Sequence, residues 1–102
     1  MKTAQHVWSY AENEYCVEEV FKNFVIDNEY DYETVIFRIY IHFDGDIKKS
    51  SIKMKLQNIK FLLTKYNIPN TLMLASLENV AYDNELAFLI IAKKYNKLFK
   101  TN

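Results

Sequence analysis

The sequence predicts one mainly α-helical domain over residues 1–102, a compact bundle of about four helices. Three observations carry that expectation. A chain of 102 residues has material for one core and no more. It contains a single Gly and a single Pro, far below the usual shares of about 7% and 5%, and the tight turns of an all-β fold draw on both. Half of the residues are hydrophobic, and in several stretches they recur at the i, i+3, i+4, i+7 spacing of one helix face.

Residues 1–7 read as a lead-in. Ser9 followed by Glu12 is a capping-box pattern, in which each side chain serves an orphan N–H at a helix start. Val17, Val20, Phe21 and Phe24 then share one face, so a first helix is expected over about residues 10–25, with Trp8 folded back on it as a staple. The polar stretch 27–33 is a connection. Residues 35–43 carry two periods at once. Val35, Phe37, Ile39, Ile41 and Phe43 alternate as in a strand, while Val35, Ile36, Ile39, Tyr40 and Phe43 fit a helix capped by Asp31. No other segment alternates comparably, and a lone strand has nothing to pair with. A second helix is therefore expected, with a strand over 35–43 as the alternative.

Asp44-Gly45-Asp46 marks a turn. Ser50 or Ser51 is expected to cap a third helix, in which Ile52, Leu56, Ile59, Leu63 and Tyr66 keep helical spacing without a miss. Lys49, Lys53 and Lys60 fall together on its solvent side. Ile68 before Pro69 ends it, because a residue preceding proline is biased out of the α region. Residues 70–82 are expected to be irregular. Asp83 or Asn84 caps a last helix to about residue 99, with Leu86, Leu89, Ile90 and Leu98 apolar and lysines in its last turns, where the helix dipole favours them.

Thirteen basic and thirteen acidic residues cancel, which argues against a non-specific nucleic-acid coat. The distribution is more informative. Residues 10–34 hold eight acids against Lys22, a local charge of −7, and residues 47–68 hold six lysines and no acid, a local charge of +6. Lys93, Lys94, Lys97 and Lys100 extend the basic part. Cys16 is the only cysteine, so no internal disulfide forms, and a reducing, cytoplasmic setting is expected. The opening residues lack the apolar run of a signal peptide. The longest apolar stretch, residues 86–92, falls far short of the roughly 20 residues of a membrane span.

Catalytic groups are scarce. His6 and His42 stand far apart, and one cysteine with two histidines makes no zinc pattern. Asp44 and Asp46 are two members of a calcium loop without the rest, and one glycine cannot build a phosphate cradle. No catalytic residue, metal or cofactor is expected, and the chain reads as a binding module and not an enzyme. Its most suggestive feature is the third helix. Lysines with Ser51 at its start suit phosphate oxygens, and lysine in place of arginine suits backbone contact better than base reading. The candidate nucleic-acid residues are Lys48, Lys49, Ser51, Lys53, Lys55, Gln57 and Lys60.

The run Ser51-Ile52-Lys53-Met54-Lys55-Leu56-Gln57-Asn58-Ile59, preceded by Trp8-Ser9 and Glu12, resembles a helical module. That module precedes the nuclease in HNH-type endonucleases and also occurs as small stand-alone phage and bacterial proteins. The resemblance covers about residues 8–79, and its Trp-Ser start is shared with Myb-like DNA-binding helices, so a partly Myb- or helix-turn-helix-like bundle is implied. It favours the helical reading of 35–43. It also implies a target-recognition helper, with Ser51, Lys53, Lys55, Gln57 and Asn58 on or near the recognition helix. The residues present include no His-Asn-His metal motif, and Lys48-Lys49 stand where the family carries an arginine.

DNA or RNA is thus the first expected partner. A second expectation is a phage-encoded, anti-CRISPR-like inhibitor, whose acidic Glu12, Glu14, Glu18 and Glu19 occupy the basic channel of a host nuclease complex. A third is a homodimer that closes its apolar surplus on itself.

Overall fold

The capping box forms at Ser9. The Glu12 N–H donates to Ser9 Oγ at 3.1 Å, and the Ser9 N–H donates to Glu12 Oε1 at 2.9 Å. From this cap runs α1, Tyr10–Val20, which widens into a π-helical segment over Phe21–Ile26. Then come α2, Tyr32–His42, α3, Lys49–Lys65, and α4, Tyr82–Phe99. The computed structural model describes residues 6–99, with side chains as far as Asn96. Residues 1–5 of the lead-in, Lys100, and the side chains of Lys97 and Leu98 lie outside the described residues. Among the described residues there is no strand, and the domain is a bundle of four α-helices.

Residues 35–43 resolve in favour of the helix. Asp31 caps α2 by accepting from the Thr34 N–H at 3.2 Å and from the Thr34 hydroxyl at 2.7 Å. Val35, Ile36 and Ile39 face the core, while Phe37 and Ile41, two residues that made the alternation strand-like, face outward. After α2 the chain reverses through Asp44 and Gly45, both left-handed at φ 55° and 73°. A Cβ at Gly45 would stand 3.3 Å from the Tyr40 hydroxyl, so glycine serves both the backbone angle and the close approach there.

The third helix corrects one expectation. It begins at Lys49 with Lys48 at the cap position, and no side chain caps it. Ser50 and Ser51 lie within its first turn. Its core face is as the spacing predicts, with Ile52, Leu56, Ile59 and Leu63 fully buried. Lys55 joins that buried set. At the far end Ile68 donates its N–H to the Leu63 carbonyl at 2.9 Å, and Asn67 takes φ 58°.

Residues 67–81 are irregular, and polar ties hold them in place. Thr71 donates its N–H to the Phe24 carbonyl at 2.8 Å and its hydroxyl to the Glu29 carbonyl. Such bonds satisfy carbonyls that the π-helical segment and its loop leave without a helical partner.

Helix α4 is rotated from its expected phase. Asp83 and Asn84 are inside its first turn, not before it. The face turned to the core carries Asn84, Ala87, Phe88, Ile91 and Tyr95, whereas Leu89 and Ile90 are 42% and 51% exposed. Both amide atoms of Asn84 are buried without a hydrogen-bond partner, and each such group costs about 1–3 kcal/mol. What selects this phase is aromatic packing against the π-helical segment and the residue that ends α3: Phe88 and Tyr95 meet Phe21 at 5.4 and 5.2 Å, and Tyr66 stacks on Phe88 at 5.8 Å. The Tyr95 hydroxyl donates to Glu18, which also pairs with Lys94 at 3.1 Å. Burial opposes ionisation of Glu18, but these two donors outweigh it and hold the carboxyl below its ordinary value.

Candidate nucleic-acid interface

Successive lysines on a helix separate by 100° per residue, so Lys49, Lys53 and Lys60 return to one flank of α3, and Ser51, Lys55 and Asn58 to the opposite flank. The surroundings of the two flanks differ. Lys48, Lys49 and Lys53 are exposed, and among the described residues none has an ion-pair partner. Lys60 is half-buried and donates to Asn70 Oδ1 at 2.9 Å. Gln57 is half-buried, and its carbonyl accepts from the Leu77 N–H at 3.1 Å.

Helix α2 supplies what the lysines lack. The Lys49 ammonium stands 5.4 Å from the Phe37 ring centre and 5.3 Å from that of Tyr40. These are cation–π distances, worth about 0.5–1 kcal/mol in an exposed setting. Phe37 remains 50% exposed. Glu33, Ile36, Phe37, Lys49, Ser50 and Lys53 enclose a groove of about 440 Å³. Lys49 and Ser50 of its wall belong to the first turn of α3, whose N–H groups have no capping side chain and carry the positive end of the helix dipole. The groove therefore offers two lysine side chains and an aromatic ring beside the uncapped start of α3.

The residues expected at a nucleic-acid surface are thus not gathered in one place. Lys48, Lys49 and Lys53 are gathered at the α2–α3 corner. Ser51 and Lys55 line a different pocket, beside Trp8, and Lys55 is only 5% exposed, which removes it from any outer surface. Burial also places its amine below the ordinary lysine pKa. Trp8 packs against the core under Lys55 of α3, with the ammonium 4.8 Å from the indole. Sequence reasoning missed Phe37 and Tyr40 as partners of the lysines. The available sign was the strand-like alternation itself, which placed an aromatic residue on what became the outer side of a helix.

The acidic face fares differently. Glu12 is taken up by the capping box and by His6 at 2.9 Å, Glu18 by Lys94 and Tyr95, and Glu19 by Lys22 at 3.7 Å and by the Asn23 amide at 3.3 Å. Glu14 alone of the four is exposed without a partner among the described residues. His42 stacks on Tyr15 at 3.7 Å, and Cys16 is fully buried, its thiol pushed up to about 12 by desolvation. Among the described residues no three His, Cys, Asp or Glu side chains converge as metal ligands, and no helix is long and apolar enough to cross a membrane. Comparison with known proteins returns no matching family model, curated protein or solved structure.

Proposed function

We propose that this protein is a non-catalytic module that binds single-stranded nucleic acid at the α2–α3 corner. Lys48, Lys49 and Lys53 meet backbone phosphates together with the first N–H groups of α3, and a base stacks on Phe37. The observation that carries this reading is the juxtaposition of unpaired lysines with a half-exposed phenyl ring in one groove. Charge that tracks a backbone and a ring that takes any base are the two parts of sequence-tolerant strand binding. The resemblance of residues 51–59 to the HNH-associated module points to the same class of partner, although Ser51, Lys55 and Asn58 sit on the other flank.

Fluorescence anisotropy with a labelled oligonucleotide at low salt tests it. Phe37→Ala should weaken binding by about 1–3 kcal/mol, the usual worth of one base–aromatic stack. Lys49→Glu should weaken it at every oligonucleotide sequence alike. No measurable binding at low salt, or binding indifferent to both changes, defeats the proposal. An inhibitor that docks on a host nuclease through its acidic helix is the weaker reading, because internal partners already hold three of its four glutamates.

A further inference from the structure

A second site lies on the opposite flank of α3 and has no part in the proposed strand binding. Trp8, held edge-on to His6 with ring centres 4.9 Å apart, forms one wall of a pocket of about 360 Å³ whose lining includes Ser51, Lys55, Asn58 and Asn79. The His6 ring is fixed in turn by Glu12 at 2.9 Å, and Asn58 by its bond to the Leu77 carbonyl at 2.8 Å. The walls are therefore pre-set, and the size falls within the range of about 300–1,000 Å³ usual for small-molecule sites.

Lys55 is the unusual member. It is 95% buried by the complement of its 5% exposure, yet among the described residues no carboxylate pairs with its ammonium and no acceptor is bonded to it. Nζ itself is not among the fully enclosed atoms left without a partner, so the stem is buried while the ammonium keeps a small solvent contact. A cation so nearly enclosed gains from a counter-charge, since even partial desolvation is costly. The indole face at 4.8 Å compensates only in part. The partner that suits it is an anion, and the space to receive one is the pocket that the same side chain lines.

We infer that this pocket binds a small oxyanion, a carboxylate or phosphate group carried on a flat apolar body. Lys55 is its counter-ion, and Trp8 with Met54 forms the apolar wall. The hydroxyl of Ser51 and the amide of Asn79 are the neutral polar groups at hand to orient it.

Trp8 is the only tryptophan, so its emission reports on this pocket directly. Benzoate and phenyl phosphate, titrated separately into the intact protein at constant ionic strength, should each be tested for a saturable change. A midpoint on the order of 1 mM suits ligands of this size. A response to benzoate alone assigns a carboxylate ligand, and a response to phenyl phosphate alone a phosphate. Lys55→Met retains the apolar stem and should weaken the responding probe at least about 10-fold, the scale of a lost charge-assisted bond. Ser51→Phe, which adds a ring to the pocket's half-buried lining, should abolish the response should Lys55→Met fail to fold. Absence of a saturable change with both probes, or a response unaltered in either variant, overturns the proposal. Strand binding at the α2–α3 corner is untouched by Lys55→Met, so the two readings fail separately.

Discussion

Lys55 shows what one residue contributes against the fold it belongs to. Its stem is buried beside Trp8, while its charge has no counter-ion among the described residues. Replacing it by methionine keeps the stem and an aromatic contact for Trp8 and removes a partly desolvated charge. Lys55→Met should therefore stabilise the protein by about 1 kcal/mol at neutral pH. The gain depends on pH in a defined direction. Desolvation lowers the Lys55 pKa below 10.5, with Cys16 opposing, so between the folded pKa and 10.5 the unfolded chain binds more protons than the folded one. Stability of the parent protein rises with pH through that window, and the advantage of Lys55→Met should shrink towards pH 10.5. Cys16 acts in the opposite sense, because its thiol is held at about 12 against an ordinary 9.0, but it does so in both proteins. Urea unfolding at neutral and alkaline pH gives the comparison; a constant gap, or a less stable variant, refutes the unpaired amine. Lysine appears in the sequence as one more solvated charge, and nothing local distinguishes Lys55 from Lys53. Its burial follows from Trp8, which lies 47 positions earlier and closes over it only in the folded bundle.

At the scale of elements, the sequence specifies a helix start where a side chain caps it and a helix face where apolar residues keep to one side. The Ser9–Glu12 box and the Asp31 cap are local hydrogen bonds within four residues, so they can be read without knowledge of the fold. Helix α3 is legible as well, because its apolar residues occupy one side and its polar residues the rest. Helices α2 and α4 carry apolar residues on both sides, and there periodicity cannot choose. In α2 the outward Phe37 and Ile41 imitate a strand. In α4 the polar Asn84 and the small Ala87 lower the apparent hydrophobicity of the buried face, so Leu86, Leu89 and Ile90 look like the core. Aromatic contacts from Phe21 and Tyr66 decide the matter, and these come from other elements. Two adjacent residues of α4 separate the phases. Ile91→Ala, at a position 3% exposed, should cost about 2–4 kcal/mol, and Ile90→Ala less than about 1 kcal/mol. Equal losses in thermal or urea unfolding place the helix at a different rotation.

For the whole molecule, zero net charge conceals a division of labour between the charged segments. Three of the four acids of α1 are held by α4, by His6 or by a neighbouring lysine, and among the described residues none is paired with α3. Lys65 at the far end of α3 pairs with Glu85 at 2.9 Å, which leaves the excess positive charge at the start of α3. Three phosphate contacts on a single strand release counterions in proportion, giving a slope of log K against log salt of about −2. A fourfold rise in salt should thus weaken binding roughly 20-fold, and Lys49→Glu should flatten the slope by about 0.7 or more. Glu33 shares the groove with Lys49 and Lys53, where its charge repels the phosphates that the lysines attract. Glu33→Gln removes that repulsion and leaves the Asp31 cap of α2 intact. A unit charge about 8 Å away in water is worth on the order of 0.5 kcal/mol, so the variant should bind about twofold more tightly at low salt. The difference should fade as salt brings the screening length below that distance. A gain that persists at high salt means that Glu33 acts through shape and not charge. A loss of affinity means that the strand lies elsewhere on the molecule, since an acid lining the site would then be helping an anion to bind.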